Sequence, residues 1–253
     1  AELLDFHKFC AEEYNKNVNP RVKINVVNVA GTDLAEKMSV AIQSNTLPEI
    51  LFEADFITFD YAHWGVFLPI NVIVTDDDKK DIPQNIWDML SYDGNIYGFP
   101  FNAEVGYMGI NKSIFEKAGA LDALPKVKEG EILKWTPDEF LNALRAVKGL
   151  DGVSPTALYC GNHAGDTWTN VILRMYGAEF FNETGDKVLL NSPEGVKALE
   201  FLGQLNKEGL LAPGVETLQC AETIQMFLNK NIAVGVFNNL NLANLRAGLS
   251  DGT

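Results

Sequence analysis

The 253-residue chain has few cysteines, few histidines and a shortage of positive charge. Its three cysteines, Cys10, Cys160 and Cys220, are an odd number and too few for a disulfide framework, and no CxxC pair occurs. Cys10 falls on the apolar side of a helix pattern, where a free cysteine serves as a small core residue. The three histidines, His7, His63 and His163, are isolated from one another and from the cysteines, so no pair has metal-ligand spacing. Lys and Arg total 20 against 34 Asp and Glu, a net charge of -14. Phosphate backbones and anionic membrane surfaces repel such a chain, which argues against nucleic acid as a partner. No apolar run approaches the ~18 residues of a membrane span. The GxSxG, HExxH, P-loop and GxGxxG signatures are all missing. Asp76, Asp77 and Asp78 suggest a cation, but the glycine and glutamate of an EF-hand loop do not follow. No metal and no cofactor is implied.

What remains is ordinary globular composition, 47% hydrophobic and 21% charged, enough for one large domain or two smaller ones. Leu3, Phe6, Cys10 and Tyr14 recur at helix spacing, with His7 on the helix surface. The stretch RVKINVVNVAG is β-branched, with Val22, Ile24 and Val26 on one face of a strand. Asp33 and Glu36 resemble a capping box for a helix lined by Leu34, Met38, Ala41 and Ile42. PEILF reads as a short buried strand, Asp55 to Trp64 as an aromatic helix, and TDDDKKD as a solvated loop. Asp93-Gly94 marks a hairpin turn. Val105 to Asn111 is a strand, followed by a helix that Gly119 ends. Thr136-Pro137-Asp138-Glu139 opens another helix. TALYC, KVLL and IAVGVF are further strands, and helices start at Ser192-Pro193 and near Ala221. This alternation argues for an α/β fold with largely parallel sheets.

The segment YDGNIYGFPFNAEVGYMGINKSIFEKAGA places Asn102-Ala103-Glu104 where a smoothly apolar strand is expected. Polar and aromatic residues also gather after other strands: Glu53-Ala54-Asp55-Phe56, Asn162 to Trp168, and Asn238-Asn239. In open α/β sheets, ligands sit outside the carboxyl ends of strands. Aromatic faces with amides and carboxylates suit a polyhydroxy ligand, because rings cover C–H faces while polar groups pair with hydroxyls. The three histidines divide accordingly. His63 reads as packed, and His163, in a Gly/Asn/Asp loop, is a candidate site residue.

Seven segments, in order, resemble the extracellular solute-binding proteins of ABC importers, in the sugar-binding group that includes maltose-binding protein. They are TLPEILF, YAHWGVFLPI, YDGNIYGFPF, YMGINKSIFEKAGA, WTPDEFLNAL, NSPEGVKALEFLGQL and AETIQMFLNKNIAVGVFNN. The resemblance implies a type II periplasmic-binding-protein-like fold. That fold has two α/β lobes, each a mostly parallel sheet flanked by helices, with ligand held in the cleft and a hinge closing around it. Lobe one then covers residues 1–103, lobe two 104–237, and residues 238–253 form the second crossover and the start of a return into lobe one. The crossovers lie near Pro100 to Tyr107 and Phe237 to Asn241. The family begins with a strand before Ala1 and continues beyond Thr253, so the chain reads as truncated at both ends.

The resemblance further implies a non-enzymatic receptor, outside the cytoplasm or lipid-anchored on the outer face, that delivers a mono- or oligosaccharide to membrane permease subunits as a monomer. Its ligand contacts fall on Glu53, Asp55, Phe56, Glu104, Asn162, Asp166, Trp168, Asn238 and Asn239, and the loop residue His163 completes the ten candidates. Several have a second reading. Glu104 also suits a carboxylate capping hinge amides, Trp168 a core ring, Asp166 a helix N-cap, and Tyr107 a core residue. A stacking aromatic, common in the maltose-binding relatives near Glu53 and Leu240, is missing at both places, which points away from a long maltodextrin. A carbohydrate-active enzyme with paired carboxylates, or a sensor subunit, remains the alternative.

Overall fold

The computed structural model describes residues 2–29, 31–102, 105–126, 131–132, 134–161, 166–182 and 185–250. The chain divides into two compact units, Ala1–Asn102 and Ala103–Thr253.

The first unit opens with helix α1 (Glu2–Glu13), which runs into a π-helical turn at Tyr14–Val18. Helix α2 (Gly31–Ser44) buries Met38. It begins two residues before Asp33, so Asp33 sits in its first turn and not at the cap. A 3-10 turn (Asp55–Ile57) leads into α3 (Thr58–His63), and Gly65 at φ 70 stops it. Helices α4 (Asp76–Asp81) and α5 (Gln84–Met89) follow. The unit ends with a hairpin, β1 (Ser91–Tyr92) and β2 (Asn95–Ile96), paired Ser91 to Ile96 and Tyr92 to Asn95. Asp93 at φ 47 and Gly94 at φ 75 give both turn residues the positive φ that a two-residue turn needs.

Four sequence readings change here. The acidic TDDDKKD is a helix and not a loop. Thr75 Oγ1 accepts from the Asp78 N–H at 3.1 Å and the Asp78 carboxylate accepts from the Thr75 N–H at 2.8 Å, a reciprocal cap. Aspartates in its first turn and Lys79 and Lys80 in its last also suit the helix dipole. The strands expected at 22–29 and in PEILF do not form among the described residues, which have no strand partner there. A strand exists only where a neighbour takes its N–H and C=O groups, and period-two patterning cannot supply one. Ile50 is accordingly 81% exposed, and Cys10, expected in a core, is exposed as well.

What the first unit does bury centres on Trp87, 2% exposed, with Val74 and Ile96, flanked by Ile70 and Ile82. The Ile70 N–H donates to the Ile96 carbonyl at 2.7 Å, and Asn71 Oδ1 accepts from the Ile96 N–H at 3.1 Å. A second group joins α1 to the 48–54 segment. The His7 ring lies 4.4 Å from Phe52 and 5.7 Å from Phe101, centroid to centroid. His7 is thus half-buried among aromatics and not a plain surface residue.

The second unit is built on a three-stranded sheet. Strand β3 (Gly106–Ile110) leads into α6 (Lys112–Lys117), α7 (Pro137–Val147) and β4 (Ser154–Thr156). Helices α8 (Asp166–Met175), α9 (Pro193–Lys207) and α10 (Cys220–Leu228) precede β5 (Ile232–Asn238). A 3-10 turn (Asn239–Asn241) and α11 (Leu242–Ser250) close it. The order is β3-β5-β4, with β3 antiparallel and β4 parallel to β5, so pairing within this α/β unit is mixed. TALYC shifts toward its N-terminus, since pairing stops at Thr156, and KVLL contributes only a bridge from Val188 to Phe181.

The central strand is apolar on both faces, as a strand covered on both sides must be. Its core includes Phe115, Leu144, Val147, Leu205 and Leu210, all fully buried. Helix α7 enters this core through the cap expected at Thr136, whose Oγ1 and N–H exchange hydrogen bonds with Glu139. Asn111 ties the same core together, its Nδ2 donating at 2.9 Å to the carbonyls of both Phe227 and Ile232.

Candidate functional site

Because β4 and β5 run parallel and β3 runs against them, the carboxyl ends of β4 and β5 and the amino end of β3 share one edge of the sheet. That edge is where a doubly flanked sheet receives ligands. Asn238 is the last residue of β5 and Asn239 begins the turn after it. Val105 precedes β3, and residues 157–161 continue from β4.

The asparagines hold this edge in place. The Val105 N–H donates to Asn239 Oδ1 at 3.0 Å, and the Asn239 N–H donates back to the Val105 carbonyl at 3.2 Å. The Asn238 N–H donates to Asn241 Oδ1 at 3.0 Å. Asn241 and Tyr61 are absent from the sequence-derived candidates. The run Asn238-Asn239-Leu240-Asn241 signalled a turn, but not which backbone groups its amides would hold.

Beyond β4 the chain runs against the 214–219 turn. The Cys160 N–H donates to Val215 at 3.0 Å and the Gly161 N–H to Leu218 at 2.9 Å. A Cβ on Gly161 would overlap the Thr217 carbonyl, so only glycine passes there. Burial, helped by the Glu216 charge, pushes the Cys160 thiol up.

The first unit presents a separate group. Glu53 and Asp55 are exposed at the entry to the 3-10 turn that carries Phe56. Burial, then the charges of Glu53 and Asp60, raise the Tyr61 hydroxyl above its ordinary range. Trp64 and Phe67 pack the Tyr61 ring at 5.8 and 5.2 Å. Nearby, His63 Nδ1 pairs with the Tyr92 hydroxyl at 2.8 Å. His63 is exposed, yet its ring stands against Phe59 and Tyr92.

Of the ten candidates, Glu53, Asp55 and Phe56 fall together in the first unit, and Asn238 and Asn239 together in the second. Asp166 is the first residue of α8, with Trp168 in its first turn. Glu104, Asn162 and His163 lie outside the described residues. Tyr107 is half-buried on β3, its hydroxyl sealed from solvent with no hydrogen-bond partner among the described residues.

Residues 1–247 match the family described as bacterial extracellular solute-binding protein. The lactose-binding protein of Rhizobium radiobacter is 25% identical over 210 residues, 81% of this chain and 47% of that protein. The fold matches an ABC transporter solute-binding protein of Thermotoga lettingae TMO, solved with α-D-tagatose. That match has a TM-score of 0.82 at 19% identity, covering 99% of this chain and 62% of the other. It also matches the GacH receptor of Streptomyces glaucescens GLA.O, solved unliganded and with acarbose. There the TM-score is 0.80 at 18% identity, covering 97% of this chain and 60% of that one. The chain spans about half the length of the curated relatives it matches.

Proposed function

Because the chain belongs to the family of bacterial extracellular solute-binding proteins, we propose that it binds a carbohydrate and delivers it to the membrane permease of an ABC importer. The observation that carries this reading is the shared sheet edge, where β4, β5 and β3 bring backbone and amide groups together at strand ends. Strand ends of this kind are where α/β sheets receive ligands, and amide and backbone groups pair with sugar hydroxyls. Relatives described as binding lactose, α-D-tagatose and acarbose support the choice of ligand class. In this reading Glu53, Asp55 and Phe56 contribute from the first unit. Glu104, Asn162, His163, Asp166, Trp168, Asn238 and Asn239 contribute from the second.

The protein works outside the cytoplasm, as a monomer and without enzymatic turnover. No helix among the described residues is long and apolar enough to cross a membrane. Calorimetric titration of the full-length protein with a panel of lactose, tagatose, mannitol and laminaribiose tests the reading. Saturable binding of one sugar, recovered chemically unchanged, is expected. Silence with every sugar alongside tight binding of a peptide or polyamine would overturn it.

A further inference from the structure

We propose that the outer face of α3, with Tyr92 beside it, is a second carbohydrate-binding surface that takes the pyranose rings of a neutral oligosaccharide. It deepens the proposed sugar-binding role and rests on that role for its ligand class. Helix residues advance by about 100° each. Thr58 and Ala62 are buried and fix the inner face of α3. Phe59, His63, Asp60 and Trp64 then follow one another round the outer face, and all four are exposed.

A surface helix ordinarily turns charged side chains to water. This one turns out aromatic rings, with Phe59 54% and Trp64 63% exposed. Exposed rings scattered singly are ordinary, but these form a group. Tyr92 stands across Phe59 at 5.1 Å and 87°, and across His63 at 5.5 Å and 84°. The Phe59 and His63 rings are near-parallel, at 9°. His63 Nδ1 pairs with the Tyr92 hydroxyl at 2.8 Å. Tyr92 is itself held in β1, one residue before the turn at Asp93-Gly94. The rings are therefore set before any ligand arrives, and binding costs little side-chain freedom.

The chemistry of the face selects the ligand. Ring faces cover the C–H faces of a pyranose. In either tautomer, the bond at Nδ1 leaves His63 Nε2 one hydrogen-bonding role, and the Asp60 carboxylate accepts from hydroxyls. No Lys or Arg occurs in 38–78 or 81–111, which include α3 and the hairpin. An anionic ligand would meet Asp60 with no cation on these elements to offset it. A quaternary ammonium would need rings standing round an open space. Here Tyr92 meets both other rings edge to face and leaves no such cage. A neutral sugar with one apolar face satisfies both conditions.

The test titrates the full-length protein with laminarihexaose, cellohexaose and maltohexaose. Nuclear magnetic resonance follows the Trp64 indole N–H, assigned by its loss in Trp64→Phe, and calorimetry gives the dissociation constants. At least one hexasaccharide should shift the Trp64 signal saturably. Phe59→Ala and Trp64→Ala should each weaken that binding about tenfold, the order of one lost ring contact. Val72→Ser, which removes an exposed apolar side chain of the same unit, should leave it unchanged. Glu53→Ala and Asp55→Ala should weaken only the binding event at the strand ends.

A Trp64 signal unmoved by all three sugars overturns the proposal. So does equal weakening by Val72→Ser, or a saturable shift with choline or oligogalacturonate in place of neutral sugars. If Phe59→Ala does not fold, Trp64→Ala decides. Sugar binding that is lost in Glu53→Ala and untouched in Trp64→Ala sinks the outer face alone. A shifting Trp64 signal with no other sugar-binding event sinks the strand-end site alone.

Discussion

At Gly235 one missing methyl group decides how the central strand is covered. The Phe237 ring leans over Gly235 and its cross-strand partner Gly109, and meets Phe227 edge-on at 4.7 Å. A Cβ on Gly235 would overlap Phe237 Cζ, and one on Gly109 would stand 2.7 Å from Phe237 Cε2. Both glycines are thus places where an aromatic ring takes the space of two side chains. Gly235→Ala should lower unfolding free energy by about 1–3 kcal/mol, the range for overpacking a dense core. The measurement is the urea midpoint at unchanged slope. No shift in midpoint would mean that Phe237 swings aside at no cost, and the packing argument would fail.

Between elements, the clearest tie joins the last turn of α7 to the end of α9. Arg145 Nε and Nη2 each donate to the Glu208 carboxylate at 2.6 Å, and Gln204 donates at 2.9 Å. The Arg145 hydrogen bond, then that of Gln204, then the nearby Arg145 and Lys148 charges hold the Glu208 carboxyl down from 4.5 to about 2. A carboxyl depressed by folding adds stability that is complete above its unfolded pKa and is lost as pH falls through its folded one. The melting-temperature gap between the natural chain and Glu208→Gln should therefore be constant from pH 7 to 5.5. It should narrow steadily as pH falls from 4.5 toward about 2. A gap independent of pH would show that the pair does not form in solution. This tie was not legible in the sequence, because 63 positions separate its partners. Local signals were legible: the Thr136 cap, the Asp93-Gly94 turn and the seven ordered segments each depend on residues close in the chain. The Thr75 cap was equally local, but a run of charges masked it. The strands at 22–29 and in PEILF failed for the opposite reason, since a strand needs a distant partner. At the site, residue types marked the strand ends, yet nothing in the sequence said that Asn239 Oδ1 would face Val105 N–H.

Across the whole molecule, the chain has the α/β fold of the solute-binding family, and its two units bury their apolar residues unequally. The second unit encloses a continuous core of Phe115, Leu144, Leu205, Leu210 and Val234 around β5. The first rests on the small group at Trp87, while Phe101 meets both Phe6 and Phe52, and Phe6, Phe52 and Phe101 stay 44%, 45% and 51% exposed. Residues 25–29 and 48–53, outside every helix and strand, make no backbone hydrogen bond among the described residues. Local stability follows buried contacts and backbone pairing, so the 253-residue chain should exchange its amides unevenly. Amides at 25–29 and 48–53 should exchange within about tenfold of unstructured rates, and those of Ile232 to Phe237 should be slower by about a thousandfold. Peptide-resolved hydrogen exchange reads both in one experiment. Equal protection of 48–53 and β5 would show that these segments find strand partners in solution, and the first unit would then be as well built as the second.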